Sequence, residues 1–406
     1  MTSGPVQAIG LYISVPFCRS KCSFCNFASN VYGVEHHGRY VERVCQDLRN
    51  SRRRAQGIGA YLPSCADSIY LGGGTPSVLE ASLLHQLFAA IRSAFRVSGD
   101  AEITMECAPG QIDDAVLAAI VECGVNRVSL GVQSFIDREA ATTGRLHNRE
   151  VALRDIERLR AAGIGRISVD LIAGLPHQTL DSWQQSLEVL TGTGVEHASI
   201  YMLEVDDESR LGKELLNGGA RYHAGAVPKD DTIATMFEMA PHALSRYGME
   251  QYEISNYAVP GQESKHNLKY WARQPYLGVG LDAHSMLQHA EGGRGVRFNS
   301  TDDLREFMEG AADWREVDHL TARAALEEAW FLGLRVSAGV SQESMERTFG
   351  TAAFERYLPV IGELVEGGVI ETAGDWIRLT SRGKLISNDV FGRILEAGDE
   401  EFCLAN

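Results

Sequence analysis

The stretch "ISVPFCRSKCSFCNFAS", residues 13–29, closes an apolar run and then places cysteines at 18, 22 and 25. Three thiolates do not complete a tetrahedral metal site, and the residues after the third, Asn26 and Phe27, are poor ligands for a soft metal. Iron–sulfur clusters are held by cysteine thiolates, four of them in the usual closed arrangement. Cys18, Cys22 and Cys25 therefore fit a cubane [4Fe–4S] cluster with one iron left for a small molecule better than a damaged structural site. Zinc with a distant fourth ligand and chance clustering are the competing readings.

Outward from this loop, the first 250 residues or so repeat one pattern: a short β-rich run, a polar turn, an amphipathic helix. Strand candidates are "GLYISV" (10–15), "DSIYL" (67–71), "AEITME" (101–106), "VNRVSL" (125–130), "GRISVDL" (165–171) and "ASIYML" (198–203). Helical windows lie at 36–55, 78–95, 111–123, 149–162 and 180–191, the last three opened by the polar starts "GQIDD", "HNREVA" and "TLDSW". Alternation of this kind predicts an α/β fold with parallel strands and right-handed crossovers. Six such units suit an incomplete (β/α)6 barrel, with an open doubly wound sheet as the alternative.

Polar residues gather just after these strands, the edge where such folds build their sites. "GGGTP" follows the second, Glu106 ends the third, Gln133 follows the fourth and Asp170 lies in the fifth. Packing alone does not explain polar groups at so many strand ends, so the barrel is expected to hold a polar ligand. The rhythm changes after about residue 255. The expected organisation is a barrel over 1–255, an irregular aromatic-rich segment over 256–317, and a helical unit over 318–406. "GGVIETAGDWIRLTSRGKLI" reads as a hairpin after a helix, which gives the last unit a winged-helix-like end.

Composition sets the outer limits. Of 406 residues 44% are hydrophobic and 23% charged, ordinary values for a globular protein with a large core. A net charge of −16 argues against a nucleic-acid partner, and the run Arg52-Arg53-Arg54 reads as a solvated helix end. The winged-helix-like end is also poor in basic residues, so a packing or interaction role is expected of it. No stretch has the ~20 apolar residues that span a bilayer, and "MTSGPVQAIG" lacks a signal pattern. A cytoplasmic protein without a direct membrane anchor is expected. In that reducing compartment Cys45, Cys65, Cys107, Cys123 and Cys403 read as incidental thiols.

The ordered series "VPFCRSKCSFCNF", "LGGGTPS", "RVSLGVQSF", "DLIAGLPHQT", "YEISNYAVPG", "HNLKYW", "EEAWFLGLRVSAGVS" and "LTSRGKLIS" resembles the radical S-adenosylmethionine superfamily. More narrowly it is similar to the coproporphyrinogen-oxidase-like branch and, within it, to the HemW-type haem chaperones. The resemblance implies a partial radical-SAM barrel in which Cys18, Cys22 and Cys25 ligate the cluster. S-adenosylmethionine would chelate the fourth iron through its amino and carboxylate groups. By the same match Gly73, Gly74 and Thr75 would let backbone approach the methionine moiety, while Tyr12, Phe24, Glu106, Gln133, Arg145, Asp170 and Ile172 would line the pocket. Arg145 suits a carboxylate, and Asp170 with Gln133 suits ribose hydroxyls.

Two departures separate the chain from the true oxidases of that branch. Those carry another cysteine where this chain has Phe27, and a longer segment before the first strand. Both favour the haem-chaperone side, whose H-N-x-x-Y motif is matched by His266, Asn267 and Tyr270. Imidazole and phenolate are both known haem-iron ligands, so His266 and Tyr270 are the expected pair, with His284 as a second candidate. "LGVGLDAHS" after Tyr276 departs from the glycine-rich form associated with the family. What the resemblance implies is thus a chaperone delivering haem to respiratory haem proteins, with an electron donor for the cluster and a homodimeric state. The competing implication is a radical enzyme, either decarboxylating coproporphyrinogen III or methylating an unreactive carbon.

Overall fold

The computed structural model describes residues 8–291, 294–310 and 314–399, so Cys403 lies outside the described residues. Strand β1 (Ile9–Val15) buries every side chain fully except Tyr12, as a strand covered on both faces must. A two-residue β2 (Ala60–Tyr61) precedes β3 (Cys65–Gly73), β4 (Arg96–Cys107), β5 (Arg127–Gln133), β6 (Arg166–Ala173) and β7 (His197–Met202). Each of these longer strands contains, or shifts by a few residues, one of the six expected runs. They pair in parallel in the order β1-β3-β4-β5-β6-β7. Strand order never reverses, whereas a doubly wound sheet has a switch point where it does. The progression is that of a partial (β/α)6 barrel.

The helices between the strands follow local chemistry. Helix Glu35–Gly57 leads from β1, and Ala81–Ala94, Asp114–Glu122, Arg149–Ala161 and Leu180–Gly192 follow the next four long strands. Asp113 caps the third through Val116 N, Asn148 the fourth through Val151 N, and Thr179 with Ser182 forms a reciprocal capping box on the fifth. Such caps satisfy otherwise orphaned amides and contribute about 1 kcal/mol each. Between sheet and helices the core is aliphatic: Leu11, Ile13, Leu71, Met105, Leu130 and Val169 are each inaccessible.

The segment 256–317 corrects the expectation. It is not irregular. Beyond β8 (Glu250–Gln251) it supplies β9 (Asn256–Ala258), β10 (Tyr276–Val279), β11 (His284–His289), β12 (Gly295–Asn299) and most of β13 (Arg315–His319) to the same sheet. Strand β9 runs antiparallel to β7 at one edge, while β10 lies parallel to β1 and carries β11, β12 and β13 in antiparallel order at the other. These strands are short and several carry polar or aromatic residues on one face, so they lack the apolar runs of the barrel.

The last unit starts with helix Ala322–Arg335. Helices Gln342–Phe349 and Leu358–Glu366 then lead to a small sheet in which β14 (Val340–Ser341), β15 (Ile370–Ala373) and β16 (Trp376–Leu379) pair in the order β14-β16-β15. Helix-then-hairpin is the expected winged-helix-like arrangement. Its core stacks Trp330 on Phe354 at 5.6 Å, and Lys384 ties it to the barrel by donating to Gln251 at 2.8 Å. No helix among the described residues is long and apolar enough to cross a membrane.

Candidate functional site

The cysteine loop is closed at its base and pinned at its tip. Cys18 N donates to Asn30 O at 3.0 Å and Asn30 N to Pro16 O at 2.9 Å, so the chain leaves β1 and returns beside it. Lys21 Nζ bridges the arc to Phe27 O and Ser29 O, while Ser23 N bonds Thr143 O on the far rim. Backbone and lysine bonds thus fix the course of the loop that carries the three thiols. Thr75 Oγ1 donates to Cys18 Sγ at 3.7 Å, and Cys25 Sγ lies 3.8 Å from Ser29 Oγ. Burial pushes the Cys18 and Cys22 thiols up, neighbouring thiols add to this, and the Arg145 guanidinium offsets part of it at Cys22.

Three cysteine thiols are soft donors of the kind a metal cluster converts to thiolates. Among the described residues no three His, Cys, Asp or Glu side chains converge on one ion. A cubane takes one thiolate at each of three irons and needs no such convergence. The donor set fits the cluster.

Beside the loop the turn after β3 is pressed against β1. Gly73 has φ +91, and a Cβ there would lie 2.8 Å from Ser14 Oγ; one on Gly74 would lie 2.6 Å from Val15 O. Thr75 N closes the turn by donating to Phe17 O at 2.8 Å. Only glycine allows this approach, and it leaves a side-chain-free cradle next to Cys18.

A polar set from the next strand ends faces the same space. Tyr70 donates to Glu106 Oε1 at 2.8 Å. Burial pushes the Glu106 carboxyl up to about 7, with Asp170 adding to the rise and the Tyr70 hydroxyl offsetting part of it. Asp170 accepts from Ser129 at 2.9 and 3.0 Å and from Ser168 at 3.3 Å; burial still raises it. Gln133 sits in the left-handed region at φ +68, at a register shift between β5 and β6. A bulge at a strand end re-aims the side chain that follows, and a strained non-glycine conformation persists only when its surroundings impose it. A Cβ on Gly131 would meet both Arg145 Nη2 (2.8 Å) and Gln133 Nε2 (3.0 Å), so the two side chains share that spot. Arg145 Nε is buried without a hydrogen-bond partner, an unspent donor in the site. Tyr12 stacks on Tyr70 at 6.1 Å, Ile172 is buried near the end of β6, and Phe24 is half-buried on the cysteine loop.

The His266 motif is placed differently. It lies on helix Lys265–Trp271, where Ser264 caps Asn267 N, and its imidazole points into the barrel at 1% exposure. Nδ1 lies 2.9 Å from Ser68 Oγ and Nε2 lies 2.7 Å from Tyr270 Oη. Burial, with Lys269 nearby, lowers this imidazole to about 3, and burial holds the Tyr270 phenol well above its ordinary range. The two residues expected to ligate iron are hydrogen-bonded to each other. His284 is the opposite case: its side chain is 65% exposed.

Sequence reading passed over Tyr70, the serines around Asp170, and Arg297 with Glu328. The signal was present in part, since Ser168 and Asp170 are two apart and therefore share a strand face.

Comparison with known proteins follows this geometry. Residues 12–190 match the family model described as the Radical SAM superfamily, and residues 320–386 match the HemN C-terminal domain. The chain is 32% identical to the Heme chaperone HemW of Bacillus subtilis, covering 95% of this chain and 98% of that protein. It is 30% identical to the protein of that name from Escherichia coli, covering 94% and 97%. Among solved structures, coproporphyrinogen III oxidase (HemN) from Escherichia coli superposes with a TM-score of 0.81 at 19% identity, over 97% of this chain and 91% of that one. At that identity the likeness is one of fold.

Proposed function

The chain belongs to the HemW family of haem chaperones within the radical SAM superfamily, and from that membership we propose that it binds haem and delivers it to respiratory haem proteins. Cys18, Cys22 and Cys25 would hold a [4Fe–4S] cluster, and the Gly73–Thr75 cradle, Arg145, Glu106, Gln133 and Asp170 would hold S-adenosylmethionine. Arg145 has an unpartnered donor that would meet the ligand carboxylate, Asp170 with Gln133 would serve the ribose hydroxyls, and Tyr12, Phe24 and Ile172 would supply walls. When bound, such a cluster supplies one-electron transfer; the chain supplies placement and a shielded site.

The observation that carries the chaperone reading over the oxidase reading is Phe27. At the position where the oxidases bear a further cysteine, this chain exposes 63% of a phenylalanine ring beside a cavity of about 700 Å³. His266 enters the reading as the residue that anchors Tyr270, whose ring lines that cavity. A cytoplasmic location, an electron donor for the cluster and a homodimer belong to the same reading.

The test is a parallel assay on anaerobically reconstituted protein with reductant and S-adenosylmethionine. Stoichiometric haem binding without turnover of coproporphyrinogen III is the expected result. Decarboxylation at catalytic turnover overturns it in favour of the oxidase.

A further inference from the structure

We propose that the haem cargo seats in the cavity between the cysteine loop and helix Ala322–Arg335, with His284 as its iron ligand. This rests on the haem-chaperone reading and names the site. The cavity, about 700 Å³, is of cofactor size and reaches from Phe27 and Gly73 to Glu328 and Phe331.

One wall is the sheet extension, and its register fixes what the wall presents. Tyr276 pairs with Met286, and Met286 pairs with Arg297, so these three form one row across β10, β11 and β12. His284 precedes Met286 by two residues and therefore points to the same face. All four residues line the cavity. Imidazole is the commonest protein ligand to haem iron. Among the described residues the His284 ring nitrogens make no hydrogen bond; the nearest charge is Asp282 Oδ1 at 3.8 Å from Nε2. Met286 is buried and packs beneath.

The turn that aims His284 is held rigidly. Gly280 has φ +111 and Asp282 has φ +54, a left-handed conformation that a non-glycine residue adopts only when its surroundings impose it. The imposing contacts are Leu281 N to Tyr40 Oη (2.8 Å), Tyr40 Oη to Ser14 O (2.8 Å) and Asp282 N to Thr301 O (2.8 Å). Tyr40 thus couples the end of β1, from which the cysteine loop departs, to the turn before His284.

Charge at the cavity edge is mixed and sits where the sheet extension meets helix Ala322–Arg335. Arg297 is the one guanidinium in the lining; it pairs with Glu328, which Arg273 also contacts from outside the cavity, and Asp282 adds a second carboxylate to the rim. Aromatic and aliphatic surface from Phe27, Trp271, Leu281 and Phe331 completes a lining for a flat apolar ring. The His266 nitrogens, by contrast, lie within hydrogen-bond distance of Ser68 and Tyr270.

The experiment is ferric haem titration into the full-length, cluster-reconstituted protein, read by affinity and by electron paramagnetic resonance of the ferric haem. His284→Ala is expected to lose the nitrogen-ligated signal and to bind haem more weakly, and added imidazole should restore the signal. His289→Ala, whose side chain lies outside this cavity, should match wild type. If His284→Ala keeps the wild-type affinity and signal, His284 is not the ligand and the proposal falls while the chaperone reading stands. If the wild-type protein binds no haem, the chaperone reading itself falls.

Discussion

The barrel has two buried polar regions, and they differ in what they leave undone. At its floor Glu102 accepts from His266 N at 3.2 Å and faces Arg127 and Arg166 at 3.7 and 3.6 Å. There His197 is held between Ser168 (2.8 Å) and Tyr252 (2.9 Å), as His266 is between Ser68 and Tyr270. Donors and acceptors there mostly answer one another, and burial lowers both imidazoles so that they stay neutral. At the mouth Cys18 and Cys25 have hydroxyls beside them, Arg145 Nε has no partner, and Gly73 and Gly74 keep side chains away. The floor is organised for the fold and the mouth for a ligand. A chemically attractive residue type is therefore not evidence of a site until its hydrogen bonds have been counted.

Removing the mouth's metal donors is the strongest way to separate the two regions. Replacing Cys18, Cys22 and Cys25 with alanine should reduce bound iron and acid-labile sulfide to background after reconstitution. The metal-free protein should unfold at the wild-type temperature, because backbone bonds such as Cys18 N to Asn30 O close the loop. A large drop in melting temperature would show that the thiols serve the fold and erase the distinction. The matching cut at the floor is Glu102→Ala. Breaking a buried charge cluster from one side leaves uncompensated charge and costs about 3–5 kcal/mol. Denaturant titration should show that loss, and iron incorporation at a permissive temperature should not change.

Arg145 tests the mouth at a finer level. Its guanidinium is half-buried with one donor unspent, so Arg145→Ala should leave the denaturation midpoint close to wild type. A hydrogen bond to a charged group contributes about 1.5–3 kcal/mol, so the affinity of the reconstituted protein for S-adenosylmethionine should fall roughly ten- to a hundredfold. Calorimetric titration measures it. Arg145→Lys should recover little, since an ammonium lacks the planar fork. Loss of stability with unchanged affinity would move Arg145 to the floor's class.

Much of this division was legible in the sequence, for physical reasons that also explain what was not. A strand covered on both faces reads as a near-continuous apolar run, so "GLYISV" announced itself, "GRISVDL" did so by alternation, and the cysteines after the first and Asp170 within the second marked the mouth. Tyr70 and Ser129 lie inside strands facing the barrel lumen, where alternation of polar and apolar residues looks like any half-buried strand. Strands β10 to β12 escaped because each is short and carries a polar or aromatic residue on its cavity face. The row Tyr276–Met286–Arg297 exists only once three separate strands are in register. His266 is a residue whose surroundings the sequence does not show. Its motif resembles a ligand motif, and the coordinates add that Ser68 and Tyr270 lie within hydrogen-bond distance of its two nitrogens.

The effect spread over the widest range of conditions concerns Glu106, and its sign follows from where the proton sits. Burial holds this carboxyl near 7, against an ordinary value of 4.5. Between those pH values the folded chain keeps the proton and the unfolded chain releases it. The unfolded state then binds fewer protons, so stability falls as pH rises through that window, by at most about 1.4 kcal/mol per pH unit. Asp170, also raised by burial, adds to the decline with the same sign. Burial holds Tyr70 as a phenol throughout, so it does not change the slope. Glu106→Gln should flatten the pH dependence of the metal-free protein in denaturant titrations at pH 5 and 7.5. Equal slopes for the two proteins would mean that Glu106 is already ionised and that the mouth, like the floor, compensates its own charge. An unequal slope carries a further consequence: a cationic ligand group beside Glu106 favours its carboxylate, so binding near pH 6 must release a proton. Binding enthalpies measured in buffers of different ionisation heat should then diverge for wild type and coincide for Glu106→Gln.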